Sequence, residues 1–287
     1  MAGKKIDTRA VGLDISLKFV EFLTGRENLH YGLWNPDDVV CAAGLGPAQE
    51  AYTDKLFKLL PEGRGLRILD IGGGAGETAR KLIALGHEVD IVIPSAFLAG
   101  RCRENTRGKA RVHECRFEDF EADRKFDICL FSESFQYIPL DVSLDKAASL
   151  LDAGGQIIIA DCFRTKAFYT ATGEEAKVGG GHALADFRKA LAARPFKILS
   201  EEDITRAVAP SIDLEQAFFN VVGHAVTQVD HALAQSRPLL RGVLGGALRL
   251  VLNKRRRSRL DQRLNHKTRN SENFCLYNTY LMIKLAL

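Results

Sequence analysis

Three sets of residues in this 287-residue chain have the types and spacing to do chemistry. The first is Ile68-Leu69-Asp70-Ile71-Gly72-Gly73-Gly74-Ala75-Gly76-Glu77-Thr78-Ala79. Leu66 to Ile71 reads as a buried strand, and Ala75 to Leu85 carries apolar residues at helical spacing. Glycines at 72, 74 and 76 let the backbone turn tightly at the strand's carboxyl end and leave room for a ligand at the helix N-terminus. A loop that cradles a dinucleotide would read G-x-G-x-x-G. Here the glycines alternate behind the acid Asp70, which argues against a phosphate site; a plain strand–turn–helix junction is the other reading. The second set is Ser132-Glu133-Ser134-Phe135-Gln136-Tyr137-Ile138, which follows another apolar run. Ligands of open α/β sheets sit beyond strand carboxyl ends, so Glu133 or Tyr137 could orient a substrate or take its proton. The third set is His30, His182 and His224, each a possible base, although a lone histidine is more often structural or exposed. No His/Asp/Glu cluster has metal spacing, so no metal is expected, and the Gly-x-Ser-x-Gly elbow of a hydrolase is absent.

These residues need a scaffold, and the chain supplies one in a regular alternation. After the strand at 66–71 come Val89 to Ile93, Ala110 to Cys115, Phe126 to Phe131 and Gln156 to Ala160, the last entered through Asp152-Ala153-Gly154-Gly155. Helical segments, notably Ser95 to Asn105 and Asp141 to Leu151, separate them. Strands alternating with helices of this length predict an α/β fold with a doubly wound, mostly parallel sheet. A composition of 46% hydrophobic and 26% charged residues suits a soluble globular protein. Six cysteines without a C-x-x-C pair read as small buried hydrophobes in a reducing cytoplasm. No secretory signal or membrane-crossing run is visible, so the expectation is a cytoplasmic protein.

Charge is distributed unevenly. Residues 237 to 269 hold eleven Lys/Arg against the single acid Asp261, about +10, in a chain whose net charge is only +4. The segment joins an apolar stretch, Leu239 to Leu252, to Lys254-Arg255-Arg256-Arg257-Ser258-Arg259. It reads as a solvated face of a cap helix, or as a basic amphipathic surface touching anionic lipid. Gly242, Gly245 and Gly246 weaken that helix. Nucleic acid is not expected as a partner, because no aromatics are interleaved to stack bases.

The order Asp70-x-Gly-x-Gly-x-Gly, Phe126-Asp127 opening the fourth strand, and Leu151-Asp152-Ala153-Gly154-Gly155 before the fifth resembles the class I S-adenosylmethionine (SAM) methyltransferases over residues 45 to 162. Flanking segments narrow the likeness. Glu27-Asn28-Leu29-His30-Tyr31-Gly32-Leu33-Trp34 followed by Pro47-Ala48-Gln49 is similar to the segment that closes over SAM in tocopherol, ubiquinone-pathway and cyclopropane-fatty-acid methyltransferases. Phe196 to Thr205 with Ala209-Pro210 resembles the passage after strand five in the same enzymes. The resemblance implies a seven-stranded Rossmann-like sheet under a helical cap. It divides the chain into an N-terminal lid (1–60), a SAM-binding core (61–165), a cap (166–272, with strand six near 196–200) and a last core strand (273–287). Gly179-Gly180-Gly181 would be a mobile loop in the cap's roof.

The resemblance also implies roles. Asp70, Gly72, Gly73, Gly74 and Gly76 would line the methionine–ribose side of SAM, Phe117 and Glu118 the adenine, and Ser132 the sulfonium side. Tyr31, Trp34, His182 and His224 would lie near the acceptor, a small and apolar or lipid-like molecule. One position departs from the pattern: Ile93 stands where these enzymes commonly place a ribose-binding acid, with Pro94 and Ser95 after it. Asp90 lies three residues too early. Ribose recognition would then fall to Ser95, backbone groups or Gln49. The implied function is methyl transfer by in-line displacement; the alternatives are a SAM-fold binding or regulatory protein without turnover, and a lipid methyltransferase working at a membrane surface through 237–269.

Overall fold

The computed structural model describes residues 8–171, 178–265 and 269–287. Its centre is a seven-stranded sheet in the order β3-β2-β1-β4-β5-β7-β6. The strands are β1 (Arg67–Ile71), β2 (Glu88–Val92), β3 (Arg111–His113), β4 (Phe126–Ser132), β5 (Leu151–Arg164), β6 (Lys197–Asp203) and β7 (Asn278–Ala286). All neighbours run parallel except that β7 lies antiparallel to both β5 and β6. Strand order reverses beside β1, whose Ile71 pairs with Val92 on one side and Phe131 on the other. The segments leaving β1, β2 and β4 therefore emerge together at a topological switch point, where open α/β sheets take ligands.

Alternation along the strands builds the two faces. Ile68, Ile91, Ile128 and Ile158 join one apolar layer, against the helix Ala42–Phe57 and the helix Ala96–Asn105. Leu69, Val92, Cys129 and Ile157 join the other, against the helices Leu140–Leu150 and Leu184–Ala192. Both faces of the central strands are buried, as near-continuous apolar runs in a parallel sheet require. The edge strand β6 is exposed throughout and charged at Lys197, Glu201, Glu202 and Asp203, which keeps it from pairing with other chains. The helix Pro210–Ser236 leaves the core and carries the helices Pro238–Val251 and Lys254–Asn265, a helical cap.

Element ends differ from the sequence reading in identifiable ways. The third strand is only Arg111–His113, while the fifth runs from Leu151 through the expected Asp-Ala-Gly-Gly turn, with Gly154 at φ +78°. Strand six extends to Asp203. The last strand does not begin at 273: Ser271–Tyr277 is helical. Asn270 caps that helix by accepting a hydrogen bond from the Asn273 amide at 2.8 Å, and Phe274 and Tyr277, three apart, are both buried. Gly179-Gly180-Gly181 does not form an open loop. Side chains there would collide with Asn278, Gln136 and Cys162, so the three glycines serve close packing. Three residues of the basic segment, 266–268, lie outside the described residues.

Two glycines should respond oppositely to alanine. Gly76 sits at φ +87° with space for a Cβ only 2.9 Å from Cys102 Cα. Gly76→Ala should destabilise by about 3 kcal/mol, roughly 1 from the left-handed backbone and 2 from overpacking. Gly242, within a helix and facing open space, should gain about 0.5–1 kcal/mol as alanine. Urea midpoints of the two variants check this.

Candidate active site

The glycine turn is built mainly against the protein itself. Gly72 donates to the Val92 carbonyl (2.8 Å), Gly74 to Gly72 (2.7 Å) and Gly76 to Gly73 (2.9 Å). A Cβ on Gly72 would collide with Ser134, and one on Gly73 would lie 2.5 Å from Asp70 Oδ2 and 2.9 Å from Ile91. Only Gly74 (φ +55°) opens outward, with Leu29 the sole neighbour at 3.9 Å. A side chain at Gly72, Gly73 or Gly76 would meet Ser134, Asp70 or Cys102, so of the glycines at 72, 74 and 76 expected to leave room for a ligand, only Gly74 faces open space. Asp70 is buried at the end of β1, its Oδ2 has no hydrogen-bond partner, and burial pushes its carboxyl up to about 7.

Over this turn runs an N-terminal strap, Glu27 to Trp34. At one end the buried Glu27 carboxylate accepts hydrogen bonds from Arg101 Nε (3.0 Å) and Asn105 Nδ2 (2.6 Å). Asn105 also donates to the Ala75 carbonyl at 2.9 Å, tying the strap to the glycine turn. At the other end the Gly32 amide and the Trp34 indole both donate to Ser211 Oγ, at 3.0 and 2.9 Å, and the Trp34 amide donates to Ala207. Gln49 Nε2 donates to the carbonyls of Asn28 (3.1 Å) and His30 (2.9 Å). Three side chains here keep buried polar atoms without partners: both amide atoms of Asn28, Gln49 Oε1 and Asp70 Oδ2. Such groups cost about 1–3 kcal/mol each if nothing meets them.

The strap's middle is held by Glu133. This residue follows β4 at φ +56°, and its amide donates to Ala160 on the neighbouring strand. Glu133 Oε1 accepts from the Tyr31 amide (2.8 Å) and from the Tyr280 hydroxyl (3.1 Å). Tyr280 meets the Tyr52 hydroxyl at 2.7 Å, and Tyr52 meets Ser132 Oγ at 3.2 Å. A chain of hydroxyls from Ser132 thus ends on the carboxyl. Burial pushes Glu133 up to about 8. A second buried acid, Asp161 on β5, accepts from the Gln136 amide (3.1 Å) and side chain (3.0 Å), and burial raises it to about 7.

Residues 68–155 match the family model described as a methyltransferase domain. An uncharacterized methyltransferase of Geobacillus kaustophilus is 30% identical over 138 residues, covering 46% of this chain and 64% of that protein. The cyclopropane synthase MmaA2 of Mycobacterium tuberculosis superposes with a TM-score of 0.69 at 16% identity, covering 99% of this chain and 100% of the other. A geranyl diphosphate C-methyltransferase of Streptomyces coelicolor, solved with Mg2+, geranyl diphosphate and S-adenosyl-L-homocysteine, gives 0.62 at 15% identity over 98% and 99% of the chains. The chain is thus similar to a methyltransferase domain in sequence over residues 68–155, and it shares the fold of these solved enzymes over nearly its whole length. In sequence it spans about two thirds or less of the curated relatives it matches, 64% of the first.

The expected site residues part into two groups. Asp70, Gly74, Gln49, Ser132, Glu133 and Tyr31 converge at the switch point. Ser95 caps the helix Ala96–Asn105, accepting from Leu98 at 3.4 Å, beside an exposed Pro94 and a buried Ile93. Asp90 is unavailable for ribose, since His113 (2.9 Å) and Arg124 (2.5 Å) hold its carboxylate. Phe117 is corrected from an adenine-stacking ring to a core ring: it is buried edge-on against Phe131, with Lys146 above its face, and only Glu118 beside it is partly exposed.

The histidines and Trp34 are corrected too. His30 donates Nδ1–H to the Tyr31 carbonyl (2.8 Å) and stacks on Tyr52; burial lowers it to about 4, so it is a neutral strap residue. His182 spends Nε2 on the carbonyls of Phe135 and Ile138, and His224 is exposed on the cap helix. Trp34 is buried as a latch to the cap. Tyr137, 78% exposed, stands outside the polar network. Asn28, Tyr52, Tyr280 and Asp161 were absent from the sequence-based site. Asn28 lies inside the strap motif, whereas Tyr280 meets Glu133 across 147 residues, a distance no local pattern spans.

Glu133 makes a prediction about pH. Its protonated form is favoured by folding, so its contribution is full below the usual 4.5 and is lost as pH rises through about 8. Urea stability should fall across that window and fall less in Glu133→Gln. Tyr280→Phe, which removes one hydrogen bond to the carboxyl, should cost about 1–2 kcal/mol.

Proposed function

We propose that the chain is a SAM-dependent methyltransferase acting on a small, apolar or lipid-like acceptor. The observation that carries this reading is the set of buried polar atoms without partners along the strap and the glycine turn, namely both amide atoms of Asn28, Gln49 Oε1 and Asp70 Oδ2, beside the one glycine of the turn, Gly74, that faces open space. A zwitterionic amino-acid tail and a ribose offer the donors and acceptors that such a set lacks, so these residues fit the cofactor. Asp70, Asn28, Gln49 and the Gly74 backbone would hold its methionine and ribose, with Ser95 and Glu118 toward the nucleoside. When bound, SAM supplies a sulfonium-activated methyl group for in-line displacement.

The chain's own contribution is positioning and dryness. The strap and the cap exclude water, which would otherwise compete with the acceptor and screen its charge. Ionised Asp70 would offset the ligand's positive charge. Glu133, already bonded through Oε1 and kept protonated near neutral pH by burial, can orient an acceptor hydroxyl or amine, and it can accept a proton only as pH rises through about 8. Tyr31 would form an aromatic wall of the acceptor site. The family fold is shared by proteins named for geranyl diphosphate methylation and cyclopropane synthesis, which supports an apolar acceptor.

A second reading, a SAM-fold binding protein without turnover, is favoured by Ile93, an apolar residue where the ribose acid is expected. Incubation with methyl-labelled SAM and a metabolite extract separates the two: label in any acceptor removes the second reading. Calorimetry with S-adenosylhomocysteine tests the first, and absence of binding would sink both. Because Asp70 must ionise to meet the ligand's ammonium, affinity should rise with pH through about 7. Asp70→Asn should weaken binding about tenfold or more, about 1.4 kcal/mol, and remove that pH dependence.

A further inference from the structure

The helical cap has an outer face that the methyl-transfer reading does not use. Ten of the twenty-one exposed large hydrophobic residues among the described residues lie between Val221 and Leu260. In the helix Pro238–Val251 the most exposed are Leu239 (87%), Val243 (68%) and Leu250 (90%). Spaced by four and seven, they form one stripe. A helix on a water-facing surface turns its apolar stripe inward; this one turns its stripe outward. Leu240 and Leu244, on the adjoining arc, are half covered.

Cations surround the stripe. Arg237, Arg249, Lys254 and Arg256 are all exposed, and none makes an ion pair among the described residues. Arg241, by contrast, pairs with Asp230, and Arg263 and Arg269 pair with Glu215. The inward side of the cap is finished: Gly223 lets the helix Lys254–Asn265 approach closely, and Gln216 Nε2 donates to the Arg263 carbonyl at 3.0 Å. These contacts fix the helix Lys254–Asn265 on the helix Pro210–Ser236 and leave the stripe of Pro238–Val251 exposed.

From this juxtaposition we infer that the cap docks on the surface of a bilayer containing anionic lipid, with Leu239, Val243 and Leu250 entering the acyl boundary. Arg249, Lys254 and Arg256 remain at the headgroups, their stems lying along apolar surface. No helix among the described residues is long and apolar enough to cross a membrane, so the cap would lie on the bilayer. Gly242 and Gly246, four apart and open to space, would also admit a second helix. Pairing two copies there would bring together two sets of unpaired cations, whereas anionic headgroups neutralise them.

Sedimentation of the full chain with phosphatidylcholine vesicles, with and without phosphatidylglycerol, tests the inference, and it reads binding without any methyl transfer. The expected result is binding to the mixed vesicles, little to phosphatidylcholine alone, and release by salt. Replacing Arg249, Lys254 and Arg256 with Gln should weaken binding by about a hundredfold, about fivefold for each charge. Leu239→Ser with Leu250→Ser should abolish it while the charges remain. No binding, equal binding to both vesicle types, or a stable dimer in sedimentation equilibrium that Leu239→Ser dissolves would overturn the inference. S-adenosylhomocysteine calorimetry on the same samples keeps a failed surface apart from a failed cofactor site.

Discussion

One carboxyl oxygen ties the candidate site together. Glu133 Oε1 accepts the Tyr31 amide from the strap and the Tyr280 hydroxyl from β7, while its own backbone leaves β4 and bonds to β5. Three segments distant in sequence thereby meet at one atom. The site has its shape only while that atom is met from both sides, because the Tyr31 amide would otherwise be left without its partner under the strap. The left-handed backbone at Glu133, uncommon for a residue with a side chain, fits a position fixed by contacts on several sides.

The polar ledger then divides the site between folding and binding. Glu133, Tyr280, Tyr52 and Ser132 satisfy one another, as do Glu27 with Arg101 and Asn105. Both amide atoms of Asn28, Gln49 Oε1 and Asp70 Oδ2 stay open along the strap, the helix beneath it and the turn. A fold keeps unpaired buried groups at a cost, and concentrating them at one place lets a ligand recover that cost on binding. Burial also holds Asp70 near neutrality, so its charge can be matched to the charge of what enters.

Much of the fold was legible in the sequence because it rests on local period. Strand–helix alternation announced the parallel sheet, and the Asp70-to-Gly76 spacing located its switch point. What stayed hidden was set by which face a residue takes or by partners far away. Phe117 looked like a ligand-stacking ring, yet its side chain turns under the sheet to meet Phe131. His182 looked free but is spent on the carbonyls of Phe135 and Ile138. The start of the last strand was misplaced because Asn270 caps one more helical turn, and a run rich in Phe and Tyr does not distinguish strand from short helix.

Glycine shows most clearly why spacing alone cannot assign a role. Gly72, Gly73 and Gly76 are pressed against protein atoms, as are Gly179 to Gly181 and Gly223, so their missing side chains shape the scaffold. Gly74 and Gly242 face open space. Gly74 lies under the strap with Leu29 as its one neighbour within 4 Å, whereas Gly242 lies in a cap helix that exposes leucines and cations. The same residue type thus serves close packing or leaves the backbone open according to what lies within reach of the absent Cβ, which the spacing of glycines does not reveal.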